Sequence, residues 1–409
     1  MPEAPLLPAD NGALTDIETL FNPPHDRAVR QRFISAFRKH VLVDKAAEMK
    51  AAFEAVEAPA FKKKHGRAPK DLVEVRRSMI DNMHFRMYSV MRLHGQEMPW
   101  PAVMDDVEAA YGELQRTFVQ ARDRNPAGGT LRIAPGFKIP DYIVDQELHH
   151  LPGTFAAEYG PDDVTQAAVS GFGNKIFSGG LQHRKDNPGA VGETMAHYLK
   201  HKFPNFTPRR ILDVGCGNAR NVVPFLDIYP DAELYGVDAC APGLRWGHAV
   251  WEARGTRVHL SRQNATATDF PDGHFDLVVS SFFFHEIPVA ETRRVLTETY
   301  RLLSPGGMTL HMELPPNCDV DPYYGMVLDW DGYANNERDY CDYRRQVPRE
   351  LLAEAGFGPA DGFHVFIPNW RTFGDDRFKG WIKGQVPPPT HGNGASWFVF
   401  GATKSPRAT

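Results

Sequence analysis

Two glycines follow an apolar run at a spacing that suits a bound nucleoside. The run Arg210–Val214 leads directly into Gly215 and Gly217, and Asp238 ends the next apolar run, 21 residues after Gly217. Glycines let the chain turn tightly and let a ligand approach the backbone. A helix after the loop would offer free N–H groups, and an acid such as Asp238 can hydrogen-bond ribose hydroxyls. These residues indicate a nucleoside-containing cofactor.

Two common nucleotide motifs are disfavoured. The nicotinamide fingerprint G-x-G-x-x-G requires a third glycine that packs helix against strand, and Arg220 occupies that position. The phosphate-binding sequence G-x-x-x-x-G-K-[ST] does not occur in the chain. A nicotinamide oxidoreductase and a P-loop nucleotide-binding protein are therefore disfavoured.

The motifs resemble those of the class I S-adenosylmethionine-dependent methyltransferases. In chain order they are the glycine loop with its leading acid (212–217), the ribose-binding strand end (235–238), the adenine loop and the strand after it (264–265 with 270–276), and the turn into the fifth strand (301–307). One glycine loop alone is a weak signal, whereas four motifs in family order are specific. The resemblance covers about residues 209–313.

The resemblance implies seven residues that hold S-adenosylmethionine and its product S-adenosylhomocysteine. They are Asp213, Gly215 and Gly217 at the methionine end, Asp238 at the ribose, Asn264 and Ala265 at the adenine, and Ser281 at the end of the fourth strand. Asn264 departs from the family, which usually carries Asp there. Its amide oxygen still accepts a hydrogen bond from an amino group, so the same cofactor is expected.

His285 and Glu286, just after the fourth strand, are the predicted catalytic residues. In the implied fold this strand end faces the transferred methyl group. The pair loosely resembles the His-Asp pair of plant-type small-molecule O-methyltransferases, whose His is the general base. A base within hydrogen-bond reach assists a hydroxyl acceptor. The alternative is that His285 only packs or caps the next helix.

An insertion at about residues 314–346 is predicted to form a lid over the acceptor. Tyr323, Tyr324, Trp330 and Tyr333 are its predicted acceptor-binding residues, because pockets for organic molecules favour aromatic walls. The alternative is a surface segment that packs on its own aromatics. No metal ligands are predicted: the adjacent His149 and His150 are a weak signal by themselves.

The predicted elements change in character near residue 205. Before it, helices are predicted over 26–57, 69–93, 102–124, 161–177 and 190–202, with an irregular or extended segment over 131–144. After it, strands at 211–214, 233–237, 257–260, 275–280, 308–313, 363–367 and 396–402 alternate with helices at 218–228, 241–254, 289–303 and 348–355. Such alternation predicts a doubly wound, mostly parallel Rossmann-like α/β sheet. We expect a helical cap or dimerisation region over 1–205 and a methyltransferase domain over 206–409.

The composition limits the partners and the compartment. The 409 residues carry a net charge of −5, which disfavours a nucleic-acid partner. Four cysteines form no C-x-x-C pair, so disulfide scaffolds and zinc ribbons are disfavoured and a reducing compartment fits. Neither a signal peptide nor an apolar run of about 18–20 residues is recognised. We expect a cytoplasmic protein without a membrane partner, and a homodimer through the N-terminal helices.

The expected reaction is methyl transfer from S-adenosylmethionine to a small organic acceptor, with a hydroxyl oxygen as the favoured atom. The Asn/Asp-Pro-Pro-Tyr motif of DNA and protein amino-methyltransferases is absent after the fourth strand. N-, C- or S-methylation of a small molecule remains an alternative, as does a non-catalytic S-adenosylmethionine-binding or assembly protein.

Overall fold

The computed structural model describes residues 21, 23–124, 126–177, 190–392 and 394–405. Its strands are β1 (Thr130–Arg132), β2 (Arg210–Val214), β3 (Glu233–Asp238), β4 (Val258–Arg262), β5 (Phe275–Ser281), β6 (Leu303–Glu313), β7 (Gly362–Pro368) and β8 (Ser396–Thr403). Its helices are α1 (His25–His40), α2 (Ala46–Ala52), α3 (Ala58–His65), α4 (Leu72–Met79), α5 (Met83–Glu97), α6 (Pro101–Ala109), α7 (Tyr111–Arg124), α8 (Asp141–Val144), α9 (Thr165–Phe177), α10 (Ala190–Lys202), α11 (Ala241–Ala253), α12 (Val289–Leu302), α13 (Pro322–Ala334), α14 (Tyr340–Arg344), α15 (Pro348–Glu354), α16 (Trp370–Phe373) and α17 (Asp375–Ile382).

The strands form one sheet in the order β1-β4-β3-β2-β5-β6-β8-β7. All neighbours from β1 to β6 are parallel, whereas β8 runs antiparallel to both β6 and β7. The strand order reverses at β2, which lies between β3 and β5. Ligands of open α/β sheets bind outside the carboxyl ends of the strands at such a reversal. The predicted doubly wound, mostly parallel sheet with a helical N-terminal region is confirmed.

The first strand of the sheet comes from the N-terminal region. β1 lies in the segment predicted to be irregular or extended, and it pairs in parallel with β4. Glu252 on α11 fixes the preceding turn. Its carboxylate, on a residue only 1% exposed, accepts hydrogen bonds from the backbone N–H groups of Ala127 (2.8 Å) and Gly129 (2.6 Å).

The N-terminal helices and the sheet share one hydrophobic core. The same buried cluster contains Trp100 just before α6, Phe172 on α9, Ile211 on β2 and Leu310 on β6. The sequence boundary near residue 205 therefore marks a change of pattern and does not interrupt the packing.

The helix predicted over residues 218–228 is wrong. Ala219 has a left-handed φ of +61°, which a right-handed helix cannot continue through. The segment forms turns followed by a short 3-10 helix, Val223–Asp227. No α-helix therefore begins directly after the glycine loop, and the helix N-terminus expected beside the cofactor is missing from this part of the described chain.

Two long N-terminal helices that were predicted are each divided in two. The stretch 69–93 breaks at residues 80–82, where the Asn82 side chain caps α5 by accepting a hydrogen bond from the His84 N–H (3.0 Å). The stretch 102–124 breaks at Ala110, between α6 and α7. Across the described ranges, every helix is too short or too polar to cross a lipid bilayer.

We expect Glu252→Ala to destabilise the fold by about 2–3 kcal/mol, because it leaves the buried Gly129 N–H and the partly buried Ala127 N–H without their acceptor. Urea unfolding measures the change. Glu354→Ala is the matched control, since Glu354 pairs with Arg293 at an exposed position (2.7 Å) and such pairs contribute about 0–1 kcal/mol. Equal stability losses in the two variants would contradict the docking role of Glu252.

Candidate active site

A cavity of about 300 Å³ lies at the carboxyl ends of β2, β3 and β5. One wall comes from the sheet and includes Gly215, Gly217, Asp238 and Ser281. The other wall comes from the N-terminal region and includes Ile143, Leu148, Phe155, Gln166, Ser170 and Asn174. The cavity thus lies at the strand-order reversal and is bordered on one side by the helical region.

The glycine loop is held against β3 by backbone hydrogen bonds. The N–H groups of Gly215 and Cys216 both donate to the Val237 carbonyl (2.9 and 3.1 Å). Gly215 has a φ of +68°, and a Cβ there would lie 2.3 Å from Cδ2 of Phe283. Gly217 has a φ of +52°, and a Cβ there would meet open space. Glycine is thus required at 215 by packing as well as by backbone conformation.

Asp238 holds the end of the glycine loop while lining the cavity. Its carboxylate accepts hydrogen bonds from the N–H groups of Gly217 (2.9 Å) and Cys240 (2.8 Å). Burial raises the pKa of Asp238, and these two N–H donors oppose that effect. A carboxylate has about four lone-pair sites, so Asp238 keeps capacity for further donors.

Asp213 lies behind the loop and has an unpartnered oxygen. Its side chain is 2% exposed, and within the described residues Oδ1 has no hydrogen-bond partner. Burial, together with the charge of Asp238, raises the pKa of Asp213 well above its usual range. A cationic or N–H donor brought to this oxygen would relieve the unfavourable burial.

Asn264 and Ala265 are not among the residues that line the cavity. The Asn264 side chain instead organises a turn, because its Oδ1 accepts hydrogen bonds from the Thr266 N–H (3.0 Å) and hydroxyl (2.8 Å). Ser281 does line the cavity, and no described residue pairs with its buried hydroxyl oxygen. Four of the seven predicted cofactor residues thus share one cavity, with Asp213 directly behind it.

Glu286 lines the cavity and begins a buried chain of alternating carboxylates and imidazoles. His149 places Nε2 3.1 Å from Glu286 Oε1 and Nδ1 2.9 Å from Glu337 Oε1. His285 places Nε2 3.8 Å from Glu337 Oε2 and Nδ1 2.7 Å from Glu313 Oε2. We call these five residues the carboxylate–imidazole chain. His285 is not among the described residues that line the cavity.

Both imidazoles of the chain hold a proton at neutral pH. Burial lowers the pKa of His149, but Glu337 and Glu286 outweigh it and raise that pKa to about 10. Burial likewise lowers the pKa of His285, but the effect of Glu313 is stronger than that of burial and raises this pKa to about 9. Glu286 therefore lines the cavity next to an imidazole that carries a positive charge.

A strained loop carries His149 to this position. His149 and His150 both have a φ of +57°, and Thr154 has a φ of +53°. Such backbone costs about 1–3 kcal/mol per residue and persists only where the surroundings impose it. Here the Trp100 indole donates to the His149 carbonyl (2.6 Å), and His150 Nε2 lies 3.0 Å from the Ala334 carbonyl oxygen.

The four aromatic residues predicted to bind the acceptor lie on α13, and none of them lines the cavity. Tyr323 stacks on Phe53 (4.8 Å between ring centroids). The Trp330 indole donates to the Ser89 hydroxyl (2.9 Å), and the Tyr324 hydroxyl lies 2.7 Å from His391 Nδ1. Tyr333 is 71% exposed.

The residues that form the N-terminal wall of the cavity were not predicted from the sequence. Gln166, Ser170 and Asn174 lie four residues apart on α9, so they share one helix face. Polar residues at this spacing on a mostly buried helix were the available signal. The segment containing Ile143, Leu148 and Phe155 has no periodic pattern from which its position could be predicted.

Comparison with known proteins places these features in a family. A methyltransferase domain family model matches residues 211–307. A demethylmenaquinone methyltransferase of Listeria monocytogenes serotype 4a is 30% identical over 165 residues, which are 36% of this chain and 69% of the relative. The chain belongs to the class I S-adenosylmethionine-dependent methyltransferases.

The relatives match this methyltransferase over part of their length. The demethylmenaquinone methyltransferase of Thermus thermophilus is 38% identical over 109 residues, 27% of this chain and 49% of the relative. Several such relatives are matched over about half their length. A solved Haemonchus contortus phosphoethanolamine N-methyltransferase 2, with phosphomonomethylethanolamine and S-adenosylhomocysteine, is 17% identical over 54% of each chain, with a TM-score of 0.36. A likeness at that level carries no argument.

The residues of the methyltransferase cavity fit the family's cofactor. The unpartnered Asp213 oxygen suits the amino group of the methionine end, and Asp238 suits the ribose hydroxyls. Arg220 also lines the cavity, and burial lowers the pKa of its guanidinium. Among the residues that the structure describes, no carboxylate forms an ion pair with Arg220. The carboxylate at the methionine end of the cofactor would therefore supply the negative charge that pairs with this guanidinium.

We expect Gly217→Ala to weaken S-adenosylhomocysteine binding at least tenfold, because its methyl group would occupy space at the cavity wall. Isothermal titration calorimetry measures the affinity. Gly66→Ala is the matched control, since Gly66 has a φ of +71°, a Cβ there meets nothing within 4 Å, and it ends α3 away from the cavity. Unchanged affinity in Gly217→Ala would contradict the placement of the cofactor.

The carboxylate–imidazole chain predicts a loss of stability at alkaline pH. The pKa of His285 is about 9 in the folded protein and about 6.5 when unfolded. The stabilisation is therefore complete below about pH 6.5 and is lost as the pH rises through about 9. We expect His285→Gln to be clearly less stable than wild type at pH 6.5, with the gap narrowing by pH 9.5. Urea unfolding at both pH values, with exposed His65→Gln as control, tests this. A stability difference between wild type and His285→Gln that does not change with pH would contradict this prediction.

Proposed function

We propose that this methyltransferase transfers a methyl group from S-adenosylmethionine to a hydroxyl oxygen of a small organic acceptor. The main support for the proposal is the position of Glu286, which lines the same cavity as Gly215, Gly217 and Asp238. A carboxylate within hydrogen-bond reach of a hydroxyl can accept its proton as the oxygen becomes nucleophilic.

Each wall of the cavity has a separate role in this proposal. The sheet wall, with the glycine loop and Asp238, holds the cofactor. Bound S-adenosylmethionine supplies an electrophilic methyl group. The N-terminal wall, with Phe155, Gln166 and Asn174, holds the acceptor and excludes water. Holding the reacting atoms about 3–3.5 Å apart supplies much of the rate acceleration in such a displacement.

We assign the proton acceptor to Glu286 and a positioning role to His285. A general base must be unprotonated, and the pKa of about 9 keeps His285 charged at neutral pH. His149 contacts Glu286 directly, whereas His285 acts on Glu286 through Glu337 and His149. His285 as the base itself, the role suggested by the sequence resemblance, is the competing assignment that the experiment below separates.

A second candidate is methylation at a ring carbon of a hydroxyaromatic acceptor. The apolar part of the cavity wall, formed by Ile143, Leu148 and Phe155, supports it. The relatives named demethylmenaquinone methyltransferase support it as well. Glu286 would have the same task, because removing the proton of a ring hydroxyl also activates the ring carbons.

Cofactor binding is the first test. We expect S-adenosylhomocysteine and S-adenosylmethionine, but not NADPH, to raise the melting temperature by several degrees. A ligand at 100 times its dissociation constant adds about 2.7 kcal/mol, and 1 kcal/mol corresponds to about 2–4 °C in a domain of this size. The absence of a shift with both sulfur compounds would contradict cofactor binding by this chain.

The role of Glu286 is tested by turnover. We expect Glu286→Gln to lower kcat at least 100-fold, about 2.7 kcal/mol of barrier, with S-adenosylhomocysteine affinity within threefold of wild type. S-adenosylhomocysteine release is measured with phenols, alcohols, amines and thiols, and NMR of the product identifies the methylated atom. Glu147→Gln, exposed in the same loop as His149, is the control.

The same assay separates the two histidine assignments. If His285 positions Glu286, His285→Gln lowers kcat while the acidic limb of the pH–rate profile stays in the carboxylate range. If His285 is the base, Glu286→Gln retains turnover and His285→Ala abolishes it. Methylated nitrogen or sulfur in the product would contradict the oxygen proposal, and cofactor binding without turnover of any acceptor would favour the non-catalytic alternative.

A further inference from the structure

A second group of ligand-type side chains lies outside the cavity, between α10 and α17. It consists of His197 and His201, one helical turn apart on α10, and Asp375, the first residue of α17. One nitrogen or oxygen atom of each residue lies within 4.8 Å of the other two. Within the described chain, no other set of three His, Cys, Asp or Glu residues meets this condition. None of the three lines the active-site cavity.

The two imidazoles are held in place and have nitrogen atoms available. The His197 ring stacks on Trp370, with 3.7 Å between ring centroids and 9° between planes. The Trp370 indole donates to Asp375 Oδ1 (3.1 Å), which orients the carboxylate. His197 Nδ1 is buried and has no hydrogen-bond partner among the described residues, whereas the buried His201 Nε2 faces Asp375.

We propose that His197, His201 and Asp375 bind one divalent transition-metal ion, with Zn²⁺ as the preferred ion. Two imidazole nitrogens and one carboxylate oxygen form a ligand set typical of zinc, with water in the fourth position. His201 Nε2 lies 3.3 Å from Asp375 Oδ1. Two ligands about 2.0–2.1 Å from a tetrahedral ion are separated by about 3.3–3.4 Å, so this pair has the required spacing.

A lysine competes with the ion at the same carboxylate. Lys379 Nζ lies 2.5 Å from Asp375 Oδ2, the oxygen not directed to His201. The Lys379 side chain is exposed and flexible, so it can withdraw when an ion binds. This geometry predicts that removing the lysine charge strengthens metal binding, which a purely structural histidine cluster would not show.

The bound ion would stabilise the contact between the N-terminal region and the C-terminal helices. α10 also packs closely on the segment after the glycine loop, because a Cβ on Gly192 would lie 1.7 Å from the Asn221 carbonyl oxygen. Asn221 in turn lines the cavity. The ion thus has a structural role close to the cofactor site, and it takes no part in the proposed methyl transfer.

Metal binding is measured on the full chain after treatment with a chelator. We expect calorimetry to show one equivalent of Zn²⁺ bound at micromolar affinity or tighter, and the melting temperature to rise by at least 3 °C. Co²⁺ in place of Zn²⁺ should give the visible absorption of a tetrahedral site without thiolate charge transfer. The absence of stoichiometric binding by wild type would overturn the proposal.

Variants test the three ligands. His197→Phe keeps the stacking on Trp370 and should weaken Zn²⁺ binding at least 100-fold, as should Asp375→Asn. Lys379→Met should strengthen binding several-fold. His40→Asn, which alters an exposed His–Asp pair on α1 (2.7 Å), is the control and should bind like wild type. Wild-type affinity in His197→Phe and Asp375→Asn would place any bound zinc elsewhere and overturn the proposal.

Discussion

The architecture depends on keeping five ionisable side chains together in the interior. The carboxylate–imidazole chain has three carboxylates and two protonated imidazoles, and the residues of Glu313, Glu337 and His285 are buried. Removing one member of such a set leaves a buried charge uncompensated, which typically costs about 3–5 kcal/mol. The members come from four separate segments: the loop before α9, the end of β5, the end of β6 and the insertion. These four segments must therefore meet for the fold to be stable.

This constraint explains why the insertion after β6 is an integral part of the structure. Glu337 follows α13 and lies between both histidines. A second buried contact joins the same helix to α5, where Arg92 pairs with Asp331 (2.5 Å) and donates to Asn335 (2.9 Å). Burial lowers the pKa of Arg92, and Asp331 more than restores it. The insertion thus supports Glu286 through His149, and two of its aromatic residues, Tyr323 and Trp330, contact Phe53 and Ser89 in the N-terminal region.

The cavity divides the chemistry between two parts of the chain. The sheet supplies the glycine loop, Asp238 and Ser281 at the point where the strand order reverses. The N-terminal region supplies α9 and the strained loop around His149, so that residues distant in sequence face the same cavity. In the proposed function, acceptor choice depends on this second part. The docking of β1 onto β4, with Glu252 holding the turn before β1, attaches part of this N-terminal region to the sheet.

The sequence by itself determined the sheet, the glycine loop and the family. Short apolar runs alternating with helical patterns have a strong local signal, and the residues of the glycine loop are contiguous. The sequence also predicted that Glu286 follows the end of a strand, and in the structure this strand end borders the cavity. It could not reveal that Ala219 interrupts the expected helix, that His149 reaches Glu286, or that Tyr323 stacks on Phe53 and Trp330 packs on α5. Those outcomes depend on contacts between residues 137 to 270 positions apart in the sequence, and on left-handed backbone that only the surrounding packing imposes. The local sequence pattern determines where helices and strands form, whereas the pairing of buried charges determines which segments of the chain contact one another.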